Sequence, residues 1–236
     1  MTDLNLAAYA RMGIANPVSE EAILALLDQT DLKPGERGAE LGCGNAEVAR
    51  LLARRGLTVL AVDRGEAMAE LARTRVAEAG LSGQVEVLAG EAGTIAEAMG
   101  PFRLIAALGT TQLGDFGRLA TWIEPGGWLM WGDIFWREAP TVAVPGLDYD
   151  TDAGWRRRGA DAGLDLVSVR VSPDTEWDTY VAELTAAVST WAADHRDHPS
   201  RSQIEGRAAA LAALYGPASR RTLGFGLYLF SKPNLV

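Results

Sequence analysis

The 236-residue chain is poor in the side chains that most often form disulfides or bind metals. It has one cysteine and two histidines. A single cysteine excludes an internal disulfide. The histidines, His195 and His198, lie beside Asp194 and Asp197 in a polar turn, and their spacing matches no standard zinc pattern. We therefore predict that the chain has neither a disulfide nor a metal site.

Basic residues and long apolar runs are also scarce. Against 31 acidic residues there are 22 basic ones, which gives a formal net charge of −9. This excess of negative charge argues against a protein that grips nucleic-acid phosphates. The chain contains no uninterrupted apolar stretch of about 18 residues and no leader in which basic residues precede an apolar run. We therefore expect no nucleic-acid partner, no membrane span and a location in the cytoplasm.

The most informative segment is a turn with an acid and two glycines, Ala39-Glu40-Leu41-Gly42-Cys43-Gly44-Asn45. Gly42 and Gly44 lack the Cβ atoms that would keep a ligand away from the backbone, and they allow a sharp turn from strand to helix. About 20 residues further on, Asp63 ends the next predicted strand, where a βαβ unit brings a carboxylate beside a ribose. The pattern predicts a nucleotide-like ligand. In the alternative interpretation, Asp63 caps the helix that starts near Glu66.

The same turn disfavours a phosphate ligand. A pyrophosphate-binding fingerprint needs a small residue where Glu47 stands, and the Gly-Lys-Ser/Thr of a P-loop is missing from the chain. Glu40, two residues before Gly42, suits a ligand with positive charge. S-adenosylmethionine has such charge on its sulfonium and α-amino groups.

Apolar strands alternate with amphipathic helices from residue 39 to residue 171, which predicts a parallel sheet. Residues 1–18 are mixed and rich in turn-forming residues, after which Ser19 begins a helix. Residues 174–215 break the alternation with two helical patterns, and residues 223–230 alternate as a final strand.

Four segments together resemble class I S-adenosylmethionine-dependent methyltransferases. They are Glu40–Gly44, Val59–Asp63, Val85–Glu91 and the Pro-Gly-Gly turn of Glu124–Leu129. Gly132–Pro140 and Glu176–Tyr180 are similar to small bacterial methyltransferases of poorly defined substrate. The chain departs from the family pattern at Glu91 and Arg103, where an aspartate is more usual.

The resemblance implies an α/β fold with a Rossmann-like sheet of seven strands and helices on both faces. The last strand would run antiparallel between strands five and six. We expect one methyltransferase domain over residues 1–236, with an N-terminal helical cap at 1–30 and an inserted helical pair at 174–215. The helix that begins at Ser19 and this pair would form lids over the cofactor.

The resemblance also implies which residues bind S-adenosylmethionine. Backbone groups of the glycine turn would hold the methionyl part, Asp63 the ribose and Glu91 the adenine, while Leu108 and Gly109 would border adenine and the sulfonium. The full predicted set is Glu40, Gly42, Cys43, Gly44, Asp63, Arg64, Met68, Glu91, Ala92, Leu108 and Gly109.

The acceptor is predicted to lie beyond strands four and five, because loops at the carboxyl ends of strands carry function. Asp133 is the candidate for orienting or deprotonating it. The predicted substrate-binding residues are Thr110, Trp136, Arg137, Trp177 and Tyr180. Core packing is the alternative for the aromatic residues, and an ion pair with Glu138 or Asp133 is the alternative for Arg137.

We therefore expect an enzyme that transfers a methyl group from S-adenosylmethionine to a small-molecule acceptor by in-line displacement, leaving S-adenosylhomocysteine. The chain lacks both the Asn-Pro-Pro-Tyr motif of DNA aminomethylation and a cysteine on the substrate side. An S-adenosylmethionine-binding module without turnover, such as a sensor or supporting subunit, is the alternative. A nicotinamide dehydrogenase is disfavoured by Glu40 and Glu47.

Overall fold

The computed structural model describes residues 3–140 and 148–234, and strands alternate with helices through most of this part. The strands are β1 (Arg37–Leu41), β2 (Thr58–Asp63), β3 (Val85–Ala89), β4 (Phe102–Leu108), β5 (Ile123–Trp136), β6 (Asp165–Val171) and β7 (Leu223–Ser231). The helices are α1 (Asp3–Tyr9), α2 (Glu20–Leu27), α3 (Glu47–Arg54), α4 (Glu66–Glu78), α5 (Ala92–Met99), α6 (Phe116–Thr121), α7 (Asp152–Asp161), α8 (Asp174–Asp194) and α9 (Arg201–Leu214).

All seven strands form one sheet in the order β3-β2-β1-β4-β5-β7-β6. Strand β7 runs antiparallel to both of its neighbours, β5 and β6, whereas the pairs among β1 to β5 are parallel. The predicted seven-stranded Rossmann-like sheet with an inserted antiparallel last strand is confirmed. The strand order reverses between β1 and β4, and parallel sheets bind ligands at such a reversal.

Each face of the sheet is covered by helices because its strands are apolar on both sides. Helices α2, α3 and α4 pack on one face, and α5, α6 and α7 on the other. A third apolar cluster joins α1 to α8 and α9. Within the described ranges, no helix has both the length and the apolar character needed to cross a membrane.

Helix α1 has seven residues and lies within the predicted helical cap of residues 1–30, although no local pattern marked it as a separate helix. Turns and bends follow it around Gly13, Asn16 and Pro17. Isolated helices of this length are unstable in water, so α1 depends on its packing partners. Leu4, Ala7 and Ala8 are buried against residues of α8 and α9. The predicted cap by Ser19 is confirmed, since its side chain accepts a hydrogen bond from the Ala22 amide, 3.1 Å away.

Strand β5 has 14 residues, which is long for a strand. At its start, the Pro-Gly-Gly turn forms an irregularity inside the strand, between the pairs Phe102↔Ile123 and Leu104↔Trp128. Its end is extended by the antiparallel partner, which pairs with it as far as Trp136. That partner is distant in the sequence, so the apolar pattern of β5 alone could not show this length.

Arg103, which departs from the family pattern, connects several residues at the amino ends of the parallel strands. It forms salt bridges with Asp31 and Glu36 and donates a hydrogen bond to the Gly126 carbonyl. The indole of Trp128 donates to the same Asp31 carboxylate over 3.0 Å. Arg103 thus stabilises the amino end of β4 and does not disturb the strand.

We predict that Phe230→Ala lowers the free energy of unfolding by about 3–5 kcal/mol, because it empties a fully buried aromatic site. Phe230 is 0 % exposed, and its ring lies 5.6 Å from that of Phe116. Denaturant unfolding measures the change. Val167→Ala, at a site 45 % exposed in the same sheet, is the control and should stay within about 0.5 kcal/mol of the wild type. Equal losses from the two variants would contradict this packing.

Candidate functional site

A cavity of about 350 Å³ opens at the carboxyl ends of β1, β2 and β4. Its size lies within the range of small-molecule sites. Every residue predicted to bind the cofactor lines it, and so does Thr110. The strands thus bring the predicted set together in one place, and the individual roles of these residues stay predictions.

The glycine turn forms the closest wall of the cavity. Gly42 and Gly44 have φ values of 79° and 52°, which other residues rarely adopt. A Cβ atom on Gly42 would lie 2.2 Å from the Thr110 methyl group, so this position has no room for a side chain. The amides of Gly42 and Cys43 both donate to the Val62 carbonyl over 2.8 Å, which fixes the turn against β2.

Asp63 connects the loops that follow β1 and β2. One carboxylate oxygen accepts from the Gly44 amide over 3.0 Å and the other from the Gly65 amide over 2.9 Å. The N-cap of α4 is Gly65, and its first turn has no side-chain cap, so the alternative role of Asp63 as a helix cap is wrong. A carboxylate oxygen can accept more than one hydrogen bond, so both keep capacity for a ligand.

Glu40 is a buried carboxylate on the inner side of the turn. It is 5 % exposed, and its Oε2 accepts from the Ala49 amide over 2.7 Å. The pKa of Glu40 is raised to about 8, mainly by burial and also by the negative charges of Glu47 and Asp63, while the hydrogen bond from the Ala49 amide opposes the shift. A cationic ligand beside this group would favour the ionised form.

Cys43 lies in the same turn as a buried thiol. Burial raises its pKa well above the ordinary value, and the charges of Glu40 and Asp63 act in the same direction. A thiol of raised pKa is a poor nucleophile at neutral pH. The prediction that Cys43 contributes to binding and not to chemistry is consistent with this environment.

Glu91 serves as the N-cap of α5. Its carboxylate accepts hydrogen bonds from the Gly93 amide and from the amide and hydroxyl of Thr94. The interactions with Thr94 are the main reason that the pKa of Glu91 is lowered. Glu91 lines the cavity in this orientation, and its contact with adenine stays a prediction.

The N-terminal segment supplies cavity residues that sequence reasoning missed. Tyr9 and Asn16 both line the cavity. Asn45 holds this segment in place, because its side-chain nitrogen lies 2.8 Å from the Gly13 carbonyl and 3.1 Å from those of Tyr9 and Met12. The helix that follows Ser19, α2, was predicted to form a lid over the cofactor. This prediction is wrong, because α2 packs into the sheet core. The cavity is instead lined by residues of α1 and by residues 14–16. No sequence signal marked residues 1–18 for this role.

Glu47 also lines the cavity, and its charge is compensated. It forms salt bridges with Arg50 and, over 3.2 Å, with Arg75. Arg75 in turn donates to the carbonyls of Tyr9 and Ala10 over 3.3 Å each. Glu47, which argues against a pyrophosphate ligand, therefore also anchors the N-terminal segment through Arg75.

Asp133 lies in β5 directly after Gly132, whose carbonyl accepts from the amide of the cavity residue Gly109. It is 2 % exposed, and its Oδ1 accepts from the Ile134 amide over 2.7 Å. Among the described residues, Oδ2 has no hydrogen-bond partner. Burial raises the pKa of Asp133 to about 7, although the Thr111 hydroxyl and the Ile134 amide oppose the shift.

Four of the predicted substrate residues lie outside the cavity. Trp177 and Tyr180 are buried among the apolar side chains of the helices, in agreement with the core-packing alternative. Arg137 donates to the carbonyls of Arg220 and Leu223, so the structure shows neither a substrate clamp nor the alternative ion pair. Trp136 is half-buried, and its ring lies 6.1 Å from that of Tyr149.

Residues 39–127 match the protein-family model described as a methyltransferase domain. This part of the chain is a methyltransferase domain. The chain is 26 % identical over 230 residues to the uncharacterized protein YjhP of Escherichia coli, covering 91 % of this chain and 92 % of that one. It is 35 % identical over 124 residues to the protein-L-isoaspartate O-methyltransferase of Methylorubrum extorquens, covering 49 % of this chain and about half of the relative, 54 %.

A solved structure shares the methyltransferase fold over nearly the whole chain. The S-adenosylmethionine-dependent methyltransferase from Geobacter sulfurreducens, solved with S-adenosyl-L-homocysteine, superposes with a TM-score of 0.83 at 21 % identity and covers 98 % of both chains. The cofactor of the family, S-adenosylmethionine, fits the cavity described above. Gly42 leaves room for a close approach to the backbone, and the Glu40 and Asp63 side chains that line the cavity are of the kind that suits cationic and hydroxyl groups.

We predict that Gly42→Ala weakens binding of S-adenosylhomocysteine about tenfold or more, because the added methyl group must displace Thr110 at the cavity wall. Calorimetric titration measures the affinity. Gly35→Ala is the matched control: Gly35 has a similar φ of 88°, but beyond its chain neighbours no atom lies within 4 Å of the position that a Cβ would take. Both variants should lose roughly 1–2 kcal/mol of stability through backbone strain. If both variants bound S-adenosylhomocysteine with equal affinity, the prediction that Gly42 forms a wall of the cofactor site would be contradicted.

Proposed function

We propose that this methyltransferase methylates a small-molecule acceptor that reaches the cofactor from the side of β4 and β5. The observation that carries the proposal is the covering of the cavity by the N-terminal segment. Tyr9 and residues 14–16 line the cavity, and the side chains of Asn45 and Arg75 bind this segment through its carbonyls. A cavity covered in this way favours a small acceptor over a folded protein or a nucleic acid.

The charge of the chain supports the same proposal. With a net charge of −9, the protein repels polyanionic acceptors at long range. Four carboxylate side chains line the cavity, Glu40, Glu47, Asp63 and Glu91, whereas Arg64 is the one basic residue among its described lining. An acceptor with a large negative charge would be disfavoured at such a site.

For the chemistry, we propose that Asp133 orients the acceptor nucleophile and accepts its proton. S-adenosylmethionine supplies an already activated methyl group, so the protein has mainly to align the acceptor and exclude water. Asp133 is suited to the proton because it is buried next to Gly132, whose carbonyl binds the cavity residue Gly109. Its raised pKa of about 7 lies near the operating pH of a general base.

The test uses methyl-labelled S-adenosylmethionine and a cell extract separated by ultrafiltration into small molecules and macromolecules. We expect the wild-type protein to label the small-molecule fraction. Label confined to macromolecules would contradict the proposed acceptor class. No transfer in either fraction, together with tight cofactor binding, would favour the alternative of a binding module without turnover.

We predict that Asp133→Asn lowers turnover about a hundredfold or more while leaving the affinity for S-adenosylhomocysteine unchanged. The carboxylate form acts as the base, so wild-type turnover should rise with pH up to about 7 and then level off. The variant should lack this rise. Steady-state assays across pH, on acceptor recovered from the labelling experiment, measure both effects. Asp165→Asn, an exposed carboxylate in β6, is the control, and unchanged turnover in Asp133→Asn would exclude the assigned role.

A further inference from the structure

The amides of the glycine turn are already engaged within the protein. Those of Gly42 and Cys43 both donate to the Val62 carbonyl, and that of Gly44 donates to the Asp63 carboxylate. All three amides thus have an acceptor. S-adenosylmethionine ends in an α-amino acid, whose carboxylate accepts hydrogen bonds and cannot donate them. Donors for this carboxylate therefore have to come from outside the turn.

The order of the strands sets the direction in which the cofactor lies. The residues that follow β3, β2, β1 and β4 stand side by side at the carboxyl ends of the strands. The predicted contacts place adenine at Glu91, after β3, and ribose at Asp63, after β2. The methionyl part then extends over the glycine turn, after β1, toward Thr110, after β4. The methionyl end of the cofactor is thus expected beside Thr110.

Side-chain nitrogen atoms do not supply the donors at this place. Arg64, the basic residue of the described lining, follows β2 and so lies on the other side of the turn from β4. The side-chain nitrogen of Asn45 is bound to three carbonyls of the N-terminal segment. The amide group of Asn16 packs on Gly109 and not on the turn. The donors that remain at the turn are hydroxyl groups.

Thr110 packs on the turn from the side of β4. Its methyl group fills the space that a Cβ atom on Gly42 would take. Thr110 lines the cavity and is 4 % exposed, and its hydroxyl has no hydrogen-bond partner among the described residues. A buried hydroxyl without a partner is costly. An acceptor atom of a bound ligand removes that cost.

Tyr9 packs on the same turn from the N-terminal segment. Two atoms of its ring lie 3.5 and 3.6 Å from the position that a Cβ atom on Gly44 would take, and Tyr9 also lines the cavity. The pKa of Tyr9 is raised to about 12, mainly by burial and also by Tyr215 and Asp63, so its hydroxyl keeps its proton and can donate. Each glycine of the turn is thus in contact with a side chain that carries a hydroxyl.

We propose that the hydroxyl groups of Thr110 and Tyr9 bind the carboxylate of the methionyl part of S-adenosylmethionine. Hydrogen bonds to a charged group are stronger than those between neutral groups, so two hydroxyls can replace a basic side chain here. The proposal assigns Thr110 to the methyl donor, although the sequence predicted it as a contact of the acceptor. It goes beyond the proposed function and does not depend on the acceptor.

The carboxylate of the donor connects two parts of the chain in this arrangement. Tyr9 belongs to the N-terminal segment, which covers the cavity, and Thr110 belongs to the loop after β4. An analogue without the carboxylate still has its adenosine contacts but leaves the Thr110 hydroxyl unpaired. The protein should therefore discriminate against ligands that lack this one group.

The test compares S-adenosylhomocysteine with its decarboxylated analogue, in which hydrogen replaces the carboxylate and the ammonium is kept. Calorimetric titration of cofactor-free protein measures both affinities. We expect the wild-type protein to bind S-adenosylhomocysteine about tenfold or more tightly than the analogue. Thr110→Val keeps the branched shape at Gly42 and removes the hydroxyl, and Tyr9→Phe keeps the ring. Each should weaken S-adenosylhomocysteine about tenfold and leave the affinity for the analogue unchanged.

Two control variants separate the hydroxyl groups from the fold. Thr110→Ser keeps the hydroxyl and should keep the preference for S-adenosylhomocysteine. Tyr180→Phe removes the hydroxyl of a buried tyrosine outside the cavity lining and should change neither affinity. Thermal unfolding verifies that each variant is folded.

The proposal is overturned if the wild-type protein binds both ligands equally. It is also overturned if folded Thr110→Val and Tyr9→Phe weaken both ligands equally, or if they weaken neither. The proposed function fails separately, if no methyl transfer to small molecules is found.

Discussion

The site depends on the carboxylate of Asp63, which binds backbone amides from two different loops. By accepting from Gly44 and Gly65, it fixes the turn after β1 relative to the turn after β2. Glu40 is held in a similar way by the Ala49 amide at the start of α3. Two carboxyl groups are thus held at the reversal point of the sheet by donors of the main chain. This arrangement suits a ligand with positive charge and ribose hydroxyls, and it accounts for the absence of a phosphate-binding pattern.

The proposed acceptor side is built differently, from elements that lie far apart in the sequence. Helices α1, α8 and α9 share an apolar cluster of their own, separate from the two faces of the sheet. Their packing positions Tyr9 at the cofactor cavity and Tyr180 near Tyr215. In β5, Asp133 is a buried carboxyl group whose Oδ2 has no hydrogen-bond partner among the described residues. The two halves of the proposed site therefore have different origins: local loop geometry forms the cofactor cavity, and tertiary packing of helices forms the proposed surroundings of the acceptor.

This difference explains what the sequence could predict. The glycine turn and Asp63 carry local signals, and the residues predicted around them line one cavity. Tyr9, the last residue of α1, carried no such signal, because this short helix depends on its contacts with α8 and α9. Arg137 was a reasonable substrate ligand by its position after β5, but the fold directs its guanidinium to the carbonyls of Arg220 and Leu223. The direction of a long side chain is set by neighbours that are distant in the sequence, so sequence patterns predict it poorly.

The most direct test of the central claim is a calorimetric titration of cofactor-free protein with S-adenosylmethionine and S-adenosylhomocysteine, with NADH as the control. The account predicts that both sulfur-containing ligands bind at one site per chain and that Glu40→Gln and Asp63→Asn each weaken them. It also predicts no heat from NADH, because Glu47 and the other carboxylates of the cavity disfavour a pyrophosphate. Binding of NADH, or affinity for the sulfur ligands that is unchanged in both variants, would contradict the claim that these carboxylates form the methyl-donor site.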